Sequence, residues 1–172
     1  MAAVQDFVGA VDRFIEKPKR LMTAAPTTWQ RAVRDADEMR LKIPLESDGV
    51  QSGEYLVLKA YPEYSLQPRF SISLMFLELV VCRLDFELDA IHGNNSPTAR
   101  HRLPLVVRGP HWHSWELNRM TVKSVTHYLP LPNADEFTHA RKFDATLRWY
   151  CDKRRIALDE HGIELPHRTR LL

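Results

Sequence analysis

Two histidines, His111 and His113, follow directly after Gly109-Pro110 and are the residues of this sequence most suggestive of chemistry. In a β-strand alternate side chains point to the same face, so the two imidazoles would share a face with their Cα atoms about 7 Å apart. Histidine gains and loses a proton near neutral pH, which suits a general base and a general acid. The same spacing also suits two ligands of one metal ion.

A second pair of functional groups, Arg83 and Asp85, lies on the polar side of a segment whose other side is apolar. If that segment pairs with the histidine strand, one guanidinium, one carboxylate and two imidazoles converge on one sheet surface. Asp85 would then orient a histidine, and Arg83 would bind an anionic oxygen. This set predicts phosphodiester cleavage without any cofactor, because RNA carries its own nucleophile in the 2′-hydroxyl.

Several alternatives stand beside this interpretation. Arg83 and Asp85 also fit a surface ion pair, and the two histidines also fit hydrogen-bonded residues packed between Trp112 and Trp115. A divalent metal bound by His111, His113 and a third group, either His92 or Asp85, is a further alternative.

The distribution of charge predicts an anionic ligand if the basic segment borders a cleft; in the alternative interpretation, its residues balance the charge of a neighbouring acidic sheet. Residues 41–99 hold four basic and eight acidic side chains, whereas residues 100–133 hold five basic and one acidic. We expect four residues to bind ligand: Asn94, Arg108, Trp115 and Arg119. In the alternative function Trp112, Trp115 and the two arginines form a non-catalytic surface for a partner protein or single-stranded nucleic acid.

The composition is that of an ordinary globular domain: 172 residues, of which 44% are hydrophobic and 27% charged, with a net charge of +2. Cys82 and Cys151 lie in apolar surroundings and are predicted to be buried free thiols. No signal peptide is recognised, and the longest apolar stretch, 72–88, is interrupted by four charged residues. We therefore expect a cytoplasmic protein without a membrane partner.

Hydrophobic spacing predicts an N-terminal helix over residues 3–16 and a second short helix from Thr27 to about Glu38, where Thr27 and Gln30 resemble a capping box. Alternation predicts strands over residues 40–45 and 53–61. Residues 69–88 lack a glycine or proline that would mark a hairpin, so one long bent strand is preferred to two strands.

The second half of the chain is predicted to hold a polar loop at residues 89–104, strands over residues 111–117 and 121–129, and a helix capped by Asn133. Together these elements predict an α+β fold in which an antiparallel sheet has N-terminal and C-terminal helices packed on one face. Residues 1–156 would form this single domain, and residues 157–172 a loosely ordered tail.

The order of these motifs resembles a family of small uncharacterised bacterial proteins that share Arg-x-Asp, His-x-Asn and Gly-Pro-His-x-His. The resemblance covers roughly residues 70–155 and implies that the three motifs belong together. The sequence departs from the family pattern in a longer segment between Asn95 and Arg108, and in Ser114-Trp115 after the histidines.

The sequence thus predicts a small phosphodiesterase or ribonuclease-like protein, of a toxin–antitoxin or phage-defence type, that acts on RNA or another anionic ligand. His111 and His113 would be its acid/base pair, with Asp85 and Arg83 assisting.

Overall fold

The computed structural model describes residues 2–22, 28–33, 35, 37–62, 69–97, 102–158 and 163–166. Its helices are α1 (Ala2–Glu16), α2 (Trp115–Asn118) and α3 (Phe143–Lys153), with a 3₁₀ turn over Arg119–Thr121. Its strands, in chain order, are β1 (Lys19–Leu21), β2 (Gln30–Arg31), β3 (Met39–Ser47), β4 (Val50–Ala60), β5 (Phe70–Phe76), β6 (Leu79–Phe86), β7 (Ile91–Gly93), β8 (Val106–Arg108), β9 (His111–His113), β10 (Asp135–Glu136) and β11 (Ile156–Ala157).

The described strands form one large sheet in the order β10-β9-β6-β5-β4-β3-β1-β11, with β2 paired to β3 beside this path. Neighbouring strands are antiparallel, except that β1 and β11 run parallel. A second, two-stranded sheet is made by β7 and β8. The α+β fold predicted from the sequence is therefore confirmed.

The helices cover one face of the large sheet, as predicted. Phe7 and Phe14 of α1 contact the ring of Phe76, and Phe143 of α3 meets the ring of Phe70 edge-on. Between helices and sheet lie fully buried side chains from the four central strands, each stabilising the fold by about 1.5–3 kcal/mol relative to exposure. They include Ile43, Leu56, Leu58, Ile72, Leu74 and Leu84.

The central hairpin differs from the preferred prediction. Residues 69–88 are two strands joined by a tight reversal at Leu77 and Glu78, so the prediction of one long strand was wrong. Both turn residues have positive φ, 49° for Leu77 and 64° for Glu78. Turns of this kind normally carry asparagine or glycine at these positions. Because Leu and Glu stand there instead, the sequence gives no signal for a hairpin.

The predicted helix from Thr27 to about Glu38 was also wrong in its described part. Gln30 and Arg31 form a strand against β3, and Ala32 N–H donates to the carbonyl of Glu38 at 2.8 Å to close a turn. Thr27 itself lies outside the described residues. Pairing with the edge of a large sheet outweighed the local capping signal.

Three predictions in the second half also need correction. The strand that starts at His111 ends at His113, because Ser114 caps α2 by accepting from Leu117 N–H at 3.3 Å. Described residues 122–129 form no strand. Asn133 caps no helix, since its buried side chain donates to the carbonyl of Leu117 at 2.8 Å, and the C-terminal helix begins at Phe143.

Other predictions are confirmed. The N-terminal helix and the strands at residues 40–45 and 53–61 are present, and Cys82 and Cys151 are buried free thiols.

Two described residues of the segment predicted to be a loosely ordered tail make contacts with the domain. Ile163 is buried, and the carbonyl of Glu164 accepts from Trp29 Nε1 at 2.9 Å. None of the described helices combines the length and apolar character needed to cross a membrane.

The strained turn supplies a test of the hairpin. Glu78→Gly should raise the free energy of unfolding by about 0.5–1 kcal/mol, because glycine adopts positive φ without a steric cost. The exposed ion pair from Lys42 Nζ to Glu78, 3.0 Å long, would be lost, but such pairs contribute little. Urea unfolding measures the change, with Glu78→Ala as the matched control that loses the ion pair but keeps a Cβ. A glycine variant no more stable than the alanine variant would contradict the turn geometry.

Candidate functional site

The pairing of β6 with β9 brings the predicted residues together. Arg83 lies directly opposite His113, and Asp85 lies directly opposite His111, on the sheet face that the helices leave uncovered. Directly opposite residues in an antiparallel pair have Cβ atoms about 4.5–5.5 Å apart, within reach of side-chain hydrogen bonds. The convergence expected from the sequence is therefore observed.

The Asp85 carboxylate is the centre of this group. Its Oδ2 lies 2.7 Å from Arg83 Nε, 3.4 Å from His113 Nε2 and 3.5 Å from His111 Nε2. Arg83 Nη2 also lies 3.2 Å from His113 Nε2. One carboxylate thus balances a guanidinium and faces two imidazoles at once.

Backbone carbonyls fix the orientation of both rings. His111 Nδ1 lies 2.9 Å from the carbonyl of Gly109, and His113 Nδ1 lies 3.2 Å from the carbonyl of Asn133. A carbonyl only accepts, so each Nδ1 carries the proton. In the neutral form each Nε2 therefore presents a lone pair toward Asp85 and Arg83, and in the protonated form each Nε2–H can donate to the Asp85 carboxylate.

A turn positions the carbonyl that holds His111. Gly109 has a φ of +79°, a conformation that favours glycine, and its N–H donates to the carbonyl of Ala90 at 2.8 Å. The close succession of β8, this turn and β9 places the carbonyl of Gly109 beneath the imidazole two residues later.

The small sheet brings a third histidine to the site. The ring of His92 in β7 stacks on His111 with centroids 5.2 Å apart, and it meets the edge of His113 at 4.7 Å. Its Nε2 lies 3.1 Å from the carbonyl of Pro132. One ring nitrogen from each of the three histidines lies within 4.8 Å of the others, so these residues could hold a metal ion.

Asn94, predicted to bind ligand, instead joins two segments of the chain. It is 1% exposed, and its side chain exchanges two hydrogen bonds with the backbone of Ala134, donating at 2.8 Å and accepting at 2.7 Å. It also donates to the carbonyl of Pro104 at 2.7 Å. Asn94 therefore ties the small sheet to the segment that holds His92 and His113, and it does not face a ligand.

The aromatic surface of the alternative prediction does not form. Trp115 is 1% exposed, and its Nε1 donates to Asp12 Oδ1 at 2.7 Å. Trp112 points to the helix-covered face, where its ring meets Tyr150 at 5.1 Å. Arg119 pairs with Asp12 at 3.1 Å.

Arg108 is exposed on β8 of the small sheet, opposite Ile91. It is not among the residues that contact Asp85.

A hollow of about 430 Å³ opens on the uncovered sheet face beside Asp85. A row of polar side chains crosses the floor of this hollow, and each lies opposite the next one on the neighbouring strand. The row consists of Lys59 in β4, Ser71 in β5, Asp85 in β6 and His111 in β9. Sequence reasoning missed Lys59 and Ser71. The alternation of each strand would have placed them on the polar face, but only the register shows that they align with Asp85.

The environment sets the protonation of the site. Burial lowers the pKa of His111, although the carbonyl of Gly109 and the Asp85 carboxylate oppose this effect. Burial alone would raise the pKa of Asp85, but hydrogen bonding with His113 and the charge of Arg83 outweigh it and leave this pKa lowered. At neutral pH the site therefore holds a neutral His111 next to an ionised Asp85.

The two predicted catalytic histidines are not equivalent. His111 lines the hollow, whereas the side chain of His113 is 0% exposed behind Asp85 and Arg83. Of the predicted acid/base pair, His111 lines the hollow, and His113 contacts the two charged groups, Arg83 and Asp85.

Comparison with models of protein families, with curated proteins and with solved structures found no match to this chain.

Asp85 should tune the proton affinity of His111. Asp85→Asn should lower the pKa of His111 further, because the carboxylate charge that favours the imidazolium is removed. The ring Hε1 signal of His111, followed by NMR during a pH titration, measures this shift. Asp152→Asn, at an exposed position of α3, is the matched control and should leave the His111 titration unchanged. An unchanged or raised pKa in Asp85→Asn would contradict the described geometry.

Proposed function

We propose that the protein cleaves phosphodiester bonds, with RNA as the substrate class, in the hollow beside Asp85. The observation that carries this proposal is that Arg83, Asp85 and His111 line one open hollow and are held there by strand register. A neutral base, a carboxylate that stabilises its protonated form and an anion-binding guanidinium are the groups this reaction needs.

His111 is the general base. Its Nδ1–H is held by the carbonyl of Gly109, so the lone pair on Nε2 is free to accept the proton of an RNA 2′-hydroxyl. The hydroxyl oxygen then attacks the adjacent phosphorus, and the bond from phosphorus to the 5′-oxygen breaks. Asp85, 3.5 Å from Nε2, stabilises the imidazolium that forms.

Arg83 binds the phosphate. Its Nε is committed to Asp85 at 2.7 Å, and its side chain is 39% exposed, so the guanidinium edge can reach an oxygen in the hollow. Guanidinium groups bind phosphate through two parallel hydrogen bonds, and this contact strengthens as negative charge develops on the transferring group. Lys59 lines the same hollow and can supply a proton to the departing oxygen.

His113 acts as a positioning residue. Its ring lies between the carbonyl of Asn133 and the Arg83–Asp85 pair, 3.2 Å from Arg83 Nη2. It thereby limits the rotation of the guanidinium and keeps the carboxylate directed at His111. Because these groups are already oriented before the substrate binds, the activation free energy of the reaction is lower.

The proposal predicts that the purified protein cleaves RNA in EDTA. His111→Ala should lower kcat by a factor of about 100 to 10,000, the usual contribution of a general base. Cleavage of a fluorescent RNA oligonucleotide measures the rate, and His127→Ala, exposed and not among the lining residues, is the matched control. No cleavage across RNAs of varied sequence, or an active His111→Ala, would reject the proposed reaction.

The pH dependence tests the identity of the base. Because burial lowers the pKa of His111, the neutral imidazole persists below the pH of about 6.5 at which an ordinary histidine is half protonated. Activity should therefore be retained at pH 6.5 and be lost as the pH falls further. The acidic limb of kcat/KM against pH measures this, and it should move to still lower pH in Asp85→Asn. A limb centred above 6.5 would contradict the role of His111.

A further inference from the structure

We propose that His92, His111 and His113 together bind one divalent transition-metal ion, with zinc the best match to three imidazole ligands. The site is formed by two strands of different sheets, β7 and β9, which meet only through tertiary contacts. This proposal does not depend on RNA cleavage, and the ion would occupy the His111 Nε2 lone pair that the proposed reaction uses, so the metal-bound form differs from the form that cleaves RNA.

The geometry is close to that of a three-histidine site. One ring nitrogen from each histidine lies within 4.8 Å of the others. Zinc–nitrogen bonds of 2.0–2.1 Å in a tetrahedral site place the nitrogens about 3.4 Å apart. The nitrogens therefore need to approach one another by up to about 1.4 Å, from 4.8 Å to about 3.4 Å, which requires rotation of the three side chains.

The hydrogen bonds behind the rings match those behind metal-bound histidines. Each imidazole has one nitrogen at a backbone carbonyl: His111 at Gly109, His113 at Asn133 and His92 at Pro132. Such a bond fixes the tautomer, leaves the other nitrogen as a lone-pair donor and raises its basicity as a ligand. A carbonyl contact of this kind at each of the three rings is the second observation on which the proposal rests.

Two charged groups lie near the rings: one favours a bound cation and the other opposes it. The Asp85 carboxylate, 3.4 Å from His113 and 3.5 Å from His111, offsets part of the charge of a divalent ion and can serve as a fourth ligand. Arg83 opposes the ion, because its Nη2 lies at the His113 lone pair, 3.2 Å from Nε2. Its side chain is 39% exposed and has room to turn toward the hollow as the ion enters.

The ligand set selects the class of metal. Imidazole nitrogens suit zinc, cobalt, nickel and copper, whereas magnesium and calcium require a shell of oxygens. Three histidines with one carboxylate nearby therefore predict binding of Zn²⁺ or Co²⁺ and none of Mg²⁺. His92 is half-buried and His111 lines the hollow, which gives the ion a route from solvent.

The test is direct binding to the whole chain, purified without a histidine tag and stripped with EDTA. Calorimetric titration with Zn²⁺ should give about one ion per chain, and dialysis followed by elemental analysis should confirm that ratio. His92→Ala should weaken the affinity by about 100-fold or more, because one of three ligands is lost. His127→Ala should bind like the unaltered protein.

His92→Gln guards against misfolding, since its amide can still donate to the carbonyl of Pro132. Zn²⁺ should raise the Tm of the unaltered protein and leave the Tm of both His92 variants unchanged. Substoichiometric zinc in the unaltered protein, or His92 variants that bind as it does, would overturn the metal site. The binding experiment contains no RNA and the cleavage assay contains EDTA, so each proposal fails or stands by its own measurement.

Discussion

The pairing of β9 against β6 is the constraint on which the site depends. Side chains alternate between the two faces of a sheet, so a shift of one residue would turn both histidines into the core and Trp112 toward solvent. The observed register places Asp85 opposite His111 and Arg83 opposite His113. Each of the four polar side chains then finds a partner of suitable charge or hydrogen-bonding type on the uncovered face.

β9 has only three residues, and its position is secured from the opposite face. Trp112 is enclosed by Tyr150 and Trp149 of α3, with their rings 5.1 and 5.4 Å away, and the guanidinium of Arg154 lies 4.9 Å from its ring. Arg154 is itself held by two hydrogen bonds to Glu116, of 2.7 and 3.0 Å. The aromatic packing on the helix-covered face thus holds Trp112, and with it the strand that carries the two histidines.

Much of the site could be predicted from sequence because it follows from period-two alternation. Arg83 with Asp85, and His111 with His113, each share a face for that reason alone, and the meeting of the two pairs needed one correct guess about strand pairing. The hairpin at Leu77 and Glu78 could not be predicted, since neither residue type favours positive φ. Asn94 and Trp115 looked like ligand-binding residues because sequence gives residue type but not burial.

The segment around residues 132–134 links the two sheets at the histidines. Its carbonyls hold the rings of His92 and His113, the side chain of Asn94 binds its backbone at Ala134, and Asn118 donates to the carbonyl of Asn133 at 2.9 Å. Neither Asn94 nor Asn118 lines the hollow, yet each holds the 132–134 segment in place, and this segment orients two of the three imidazoles. A mutational screen scored only by loss of activity would therefore group these asparagines with the catalytic residues, although their contribution is architectural.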